Sequence, residues 1–159
     1  MNRLLATLAC LLAASSASAV TTCTFQSGGS AVFPPYDALS PAPVDTALNL
    51  SVVCSRQGGP QFVTVTVSLG PGQYGTSATT RRMQQAGGTG DLLTYGLFQD
   101  PGRSSPWGYS PGIDTLSVVL AVPNKSSAQT TFTVYGRIPP MQDVSAGTYM
   151  DSVQVTLTP

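Results

Sequence analysis

Two stretches of this chain alternate apolar and polar residues with a period of two. In 47–54, Leu48, Leu50, Val52 and Cys54 fall on one face, with Asn49 and Ser51 on the other. In 62–69, Val63, Val65, Val67 and Leu69 oppose Thr64, Thr66 and Ser68. Successive side chains of a strand point to opposite faces of its sheet, so this pattern predicts strands with one buried face. The segments 92–99, 115–122 and 130–137 are β-rich with looser alternation. The segment 149–158 sets Tyr149, Asp151, Val153, Val155 and Leu157 against Ser152, Gln154, Thr156 and Thr158. A short strand at 21–25, carrying Cys23, brings the expected number to about seven.

Turn clusters lie between these segments: 27–30, 58–60, 70–72, 87–90 and 101–102 are all built from Gly, Pro, Ser or Thr. Helices are excluded twice over. No long stretch keeps a helical period free of Gly and Pro, and the residues that usually cover exposed helices are scarce. Glu is absent and Lys125 is the one lysine. The expected fold is therefore all-β, an immunoglobulin-like β-sandwich in one domain. The Pro-rich stretch 33–46 is expected to be an extended loop.

The first residues read as an export address. Arg3 provides a thin positive start, 4–14 form an uncharged apolar run, and Ala17-Ser18-Ala19 has the small-x-small spacing that a signal peptidase cleaves. Residues 1–19 are thus expected to be a removed signal peptide and 20–159 the mature domain, with no second apolar run to anchor it in a membrane. Loss of Cys10 leaves Cys23 and Cys54, and an even pair in an oxidising compartment is expected to form a disulfide.

Chemistry has little to work with. The chain has no histidine, which rules out Ser-His-Asp triads, Cys-His dyads and His-ligated metals. All seven acidic residues are Asp, placed beside turn residues rather than as a facing pair. Gly87-Gly88-Thr89-Gly90 lacks the Lys-Ser/Thr and the helix of a phosphate loop. Seven basic residues balance the seven acids and are scattered, which argues against nucleic-acid binding. No catalytic, cofactor or metal residues are expected.

One ordered set of motifs remains. It runs from Cys23 through Tyr36-Asp37 and Cys54 to Arg81-Arg82-Met83, then Leu93-Thr94-Tyr95-Gly96-Leu97-Phe98 and Trp107-Gly108. It closes with Val134-Tyr135-Gly136-Arg137-Ile138-Pro139, Gln142 and Gly147-Thr148-Tyr149-Met150-Asp151. This series resembles the spore coat protein U domain, which also occurs in pilus subunits of the archaic, Csu-type chaperone–usher pathway. Two loops depart from the family pattern, with Pro34-Pro35 before the Tyr-Asp pair and Tyr109 after Trp107-Gly108.

The resemblance implies a secreted, non-enzymatic structural or adhesive subunit that serves in surface attachment. Its sandwich would lack the last strand, to be completed by β-strand donation from a periplasmic chaperone and then from a neighbouring subunit at an outer-membrane usher. A spore-coat or extracellular matrix protein sharing the fold is the alternative. After cleavage before Val20 three residues precede Cys23, whereas a donor strand needs on the order of ten. Pro159 follows the last strand directly. The expectation is a chain that accepts a strand without donating one, as at the end of a fibre.

The motif residues read as structural. Gly136 permits a close approach, and Pro139 ends its strand. Tyr149 is placed to bond backbone across a turn. Asp151 is expected to pair with Arg81 or Arg137, or else to stay solvated. Trp107 belongs either to the core or to an exposed tip with Tyr109 and Ile113 that would touch an abiotic or host surface.

Overall fold

The computed structural model describes residues 20–27, 29–87 and 90–159; the expected signal peptide over 1–19 lies outside the described residues, as do Gly28, Gly88 and Thr89 of two turn clusters. The described residues form nine strands and no helix. In chain order these are β1 (Thr21–Ser27), β2 (Val44–Arg56), β3 (Gln61–Leu69), β4 (Arg81–Gln85) and β5 (Leu92–Phe98). They continue with β6 (Leu116–Val122), β7 (Ser127–Ile138), β8 (Tyr149–Met150) and β9 (Val155–Thr158). Every pairing is antiparallel. A six-stranded sheet in the order β1-β2-β7-β5-β4-β8 packs on a three-stranded sheet in the order β6-β3-β9.

The core lies between the two sheets. Val52, Val65, Val67, Leu69, Trp107, Phe132 and Ile138 are sealed from solvent, and the alternating faces of β2, β3, β5 and β7 supply most of the remainder. The long β2–β7 ladder, from Val44↔Ile138 to Ser55↔Ser127, is the spine of the larger sheet. The stretch 33–46 is a loop, but it is broken by a turn at 38–39, where the Ser40 amide donates to the Asp37 carbonyl at 3.1 Å, and β2 takes its last residues from Val44 on.

Two differences from the sequence expectation have simple causes. Strand β4 is hidden in the sequence because its first inward-facing residue is charged: Arg81 is fully buried and Met83 follows on the same face. The segment 149–158 is two strands rather than one. β8 pairs with β4 in the large sheet, 151–154 cross over, and β9 pairs with β3 in the small sheet. Side-chain alternation continues through the crossing, with Tyr149, Asp151, Val153, Val155 and Leu157 half-buried between exposed neighbours. The period-2 signal is therefore genuine, while the ladder beneath it changes sheets.

Cys23 and Cys54 stand opposite each other in the β1–β2 register and form a disulfide across a sequence separation of 31. Closing a loop of that size stabilises a fold by about 3–4 kcal/mol on the chain-entropy model.

Candidate functional site

The candidate site is a pair of strand edges rather than a cavity. β1 is an edge of the large sheet and β9 an edge of the small one, so each pairs on one side alone. They approach within 8 Å Cα–Cα but share no ladder. Along this seam the inward residues Cys23 and Phe25 of β1, and Val153, Val155 and Leu157 around β9, pack on the core while remaining half-buried. Their counterparts deeper in the sheets, Leu50, Val52, Val65 and Val67, are buried. The outward residues of both edges are Thr22, Thr24, Gln26, Thr156 and Thr158, and no Asp, Glu, Lys or Arg lies on either strand. Unpaired backbone beside a partly covered apolar face is the chemistry of strand addition: main-chain groups supply hydrogen bonds and alternate side chains fill the seam.

A buried polar network fixes the end of this seam. The Arg81 guanidinium donates to the carbonyls of Gly70 (2.8 Å), Ala78 (2.9 Å), Leu69 (2.8 Å) and Trp107 (2.7 Å). Burial pushes its pKa down, opposed by Tyr95, Asp114, Asp151 and Tyr109 nearby. Arg81 thus gathers the end of β3, the 70–80 loop and the Trp107 segment into one unit. Trp107 itself is fully buried, and its indole Nε1 donates to the Val67 carbonyl at 2.9 Å. It is a core residue; Tyr109 and Ile113 of the same loop are exposed without it. Gly108 allows tight packing, since a Cβ there would lie 2.0 Å from Asp114 Oδ2.

Asp151 pairs with neither arginine. Its Oδ2 accepts a 2.6 Å hydrogen bond from the Tyr95 hydroxyl and its Oδ1 a 2.8 Å bond from the Gln73 amide. Burial first, and then the Asp151 carboxylate, push the Tyr95 pKa up, so the hydroxyl remains a donor. Arg137 instead forms a bidentate pair with Asp45 at 2.7 and 2.8 Å on the outer face of the large sheet. Arg103 reaches the same carboxylate at 3.2 Å and lies over the Tyr135 ring.

The remaining motif residues are scaffold. Leu93 and Met83 face each other across the β4–β5 ladder inside the core. A Cβ on Gly136 would lie 2.8 Å from both Phe33 and Thr46, so Gly136 makes room for the Phe33 ring and for the side chain of Thr46, its partner across the β2–β7 ladder. Pro139 directly follows β7, and its carbonyl accepts from Gln142 at 3.1 Å. A Cβ on Gly147 would meet the Gln85 side chain. The Tyr149 hydroxyl donates to the Ser145 carbonyl at 2.7 Å, spanning the turn before β8. Gly72 has no sequence signal beyond its turn cluster, yet its φ of 84° and a would-be Cβ 2.1 Å from Asp151 Oδ2 make it essential to the network. Among the described residues no group of His, Cys, Asp or Glu is arranged to hold a metal ion.

Comparison with known proteins agrees with this architecture. A family model of the spore coat protein U domain matches residues 8–156. Protein U of Myxococcus xanthus is 34% identical, with 82% of this chain and 72% of that protein covered. In the crystal structure of the CsuC–CsuE chaperone–tip adhesion subunit pre-assembly complex from archaic chaperone–usher Csu pili of Acinetobacter baumannii, one chain superposes with a TM-score of 0.56 at 22% identity. That match covers 87% of this chain and 40% of the other, so this chain spans well under half of its counterpart's length. With a family match along nearly its whole length and a relative alike over most of both sequences, this chain belongs to the spore coat protein U domain family.

Proposed function

We propose that this chain is an exported, non-enzymatic structural subunit of an archaic chaperone–usher pilus, and that its β1–β9 seam accepts a strand from a partner. One observation carries the proposal: two unpaired edges flank a half-buried apolar strip, with no ladder between them. The structural likeness to a chain of a chaperone–subunit complex supports the same reading. The partners are then a periplasmic chaperone, which covers the seam during transit, an outer-membrane usher, and a neighbouring subunit that replaces the chaperone strand at the cell surface. Neighbouring strands lie about 4.8 Å apart, so an inserted strand must part β1 and β9 wherever they approach. With the uncharged edges described above, recognition rests on backbone bonding and apolar fit.

The finer readings belong to the same proposal. A signal peptide removed before Val20 would deliver a single mature domain, 20–159, to the periplasm. In that setting the chain accepts a partner's strand, and the fibre serves in attachment and biofilm. N-terminal sequencing of the surface protein that found a start well upstream of Val20 would contradict this cleavage. A second reading, a self-contained spore-coat or matrix component, draws support from the relative Protein U and from the partial closure of the seam.

One experiment separates the two. Tagged chain recovered from the periplasm should carry a chaperone in one-to-one ratio, and should aggregate when that chaperone is deleted. Recovery as a stable, soluble monomer in the absence of a chaperone would favour the coat reading.

A further inference from the structure

We propose that Asp151, anchored by Tyr95, is a positioning residue for strand capture because it sets the register of β9. The inference rests on the strand-accepting reading above, since β9 is one of the two accepting edges. β9 has four residues and its ladder with β3 four pairs, from Thr66↔Thr158 to Leu69↔Val155. So short a ladder specifies its own register weakly. A slip of one residue would turn Val155 and Leu157 outward and place Thr156 and Thr158 toward the core. An incoming strand would then meet hydroxyls where it needs an apolar floor.

The chain is pinned on both sides of the crossing. At its start, Asp151 is held by the Tyr95 hydroxyl of the large sheet and by the Gln73 amide, four residues beyond the end of β3. Tyr95 is 5% exposed and packed in the core, so the anchor stands on a buried side chain. At its end, the Gly70 amide donates to the Gln154 carbonyl at 2.9 Å, directly before the first ladder pair, Leu69↔Val155. Residues 151–154 therefore bridge two fixed points with no slack for a slip. Gly72, at φ 84°, gives the carboxylate its place, because a side chain there would collide with it.

The test has two arms on the full mature chain. For register, a Ser68→Cys/Thr156→Cys pair lies directly opposite across β3 and β9 and should cross-link, whereas Ser68→Cys/Leu157→Cys should not. Adding Asp151→Ala should spread cross-linking to the second pair. For capture, a synthetic ten-residue peptide of alternating Val and Thr serves as the probe. Asp151→Ala should release it about tenfold faster or more, the usual effect of losing hydrogen bonds to a charged group. Tyr95→Phe should act in the same direction, and the two changes together should be less than additive. If Asp151→Ala fails to fold, Tyr95→Phe, which removes one hydroxyl, carries both arms. Unchanged cross-linking and unchanged release would overturn the register proposal. Failure of the unmodified chain to bind any peptide would instead count against strand acceptance, while the cross-linking arm still decides the register.

Discussion

Arg81 shows how a charge can serve as core. Its side chain is fully buried, and each of its four hydrogen bonds ends on a backbone carbonyl from a loop or strand end that would otherwise face the interior unpaired. Replacing it with Met keeps much of the volume and strips those carbonyls of a donor. The Arg81→Met protein should lose about 3 kcal/mol or more. Urea unfolding would record this as a lower midpoint at unchanged slope.

Titration belongs to the same scale. The Arg137 hydrogen bond holds Asp45 below its ordinary 3.8, Ser145 does the same for Asp91, and the Ser105 and Ser104 amides do so for Asp100. A depressed carboxylate adds stability above its unfolded pKa and loses it as pH falls through the folded one. Tyr95 is raised from 10.0, so its contribution is full below that pH and declines as the unfolded tyrosine ionises above it. With no histidine in the chain, thermal midpoints should be level between about pH 5 and 9 and fall on both sides. A pronounced step near pH 6.5 would contradict this assignment. The motif residues at the centre of this network, Arg81, Tyr95, Trp107 and Asp151, could all be picked out in the sequence, but their partners could not. The sequence offers Asp151 a choice of Arg81, Arg137 or solvent, and only the fold brings Tyr95 and Gln73 to it instead.

At the scale of elements, alternation of side chains located most of the strands, because burial of one face imposes period two whatever the tertiary context. It missed β4, where an inward arginine breaks the apolar pattern, and it could not divide 149–158, where the alternation continues across a change of sheet. The seam was legible only through the family resemblance, since pairing of edges is a long-range property that no local pattern encodes. The Cys23–Cys54 disulfide deepens the dependence on long-range structure by fastening β1, one wall of the seam, to β2. Replacing both cysteines with Ala should cost about 3–4 kcal/mol. It should also raise amide exchange across β1 more than across β3. Uniform loss over both strands would mean that the bond stabilises the whole sandwich without a special hold on that edge.

At the scale of the molecule, the nine strands of the described residues form a sandwich whose two sheets approach along β1 and β9 without joining. An unjoined, uncharged edge is a liability in an isolated protein and an asset in one that assembles. On the proposed reading, the low charge and the open β1 and β9 edges suit a part that another chain completes. The most direct measurement is hydrogen exchange at the β1 and β9 amides, compared between the chain alone and the chain isolated with its periplasmic partner. The account expects outward-edge amides of both strands to exchange rapidly alone and to become protected together in the complex, while the β2–β7 ladder stays protected throughout. Equal protection of β1 and β9 in the two samples would contradict it.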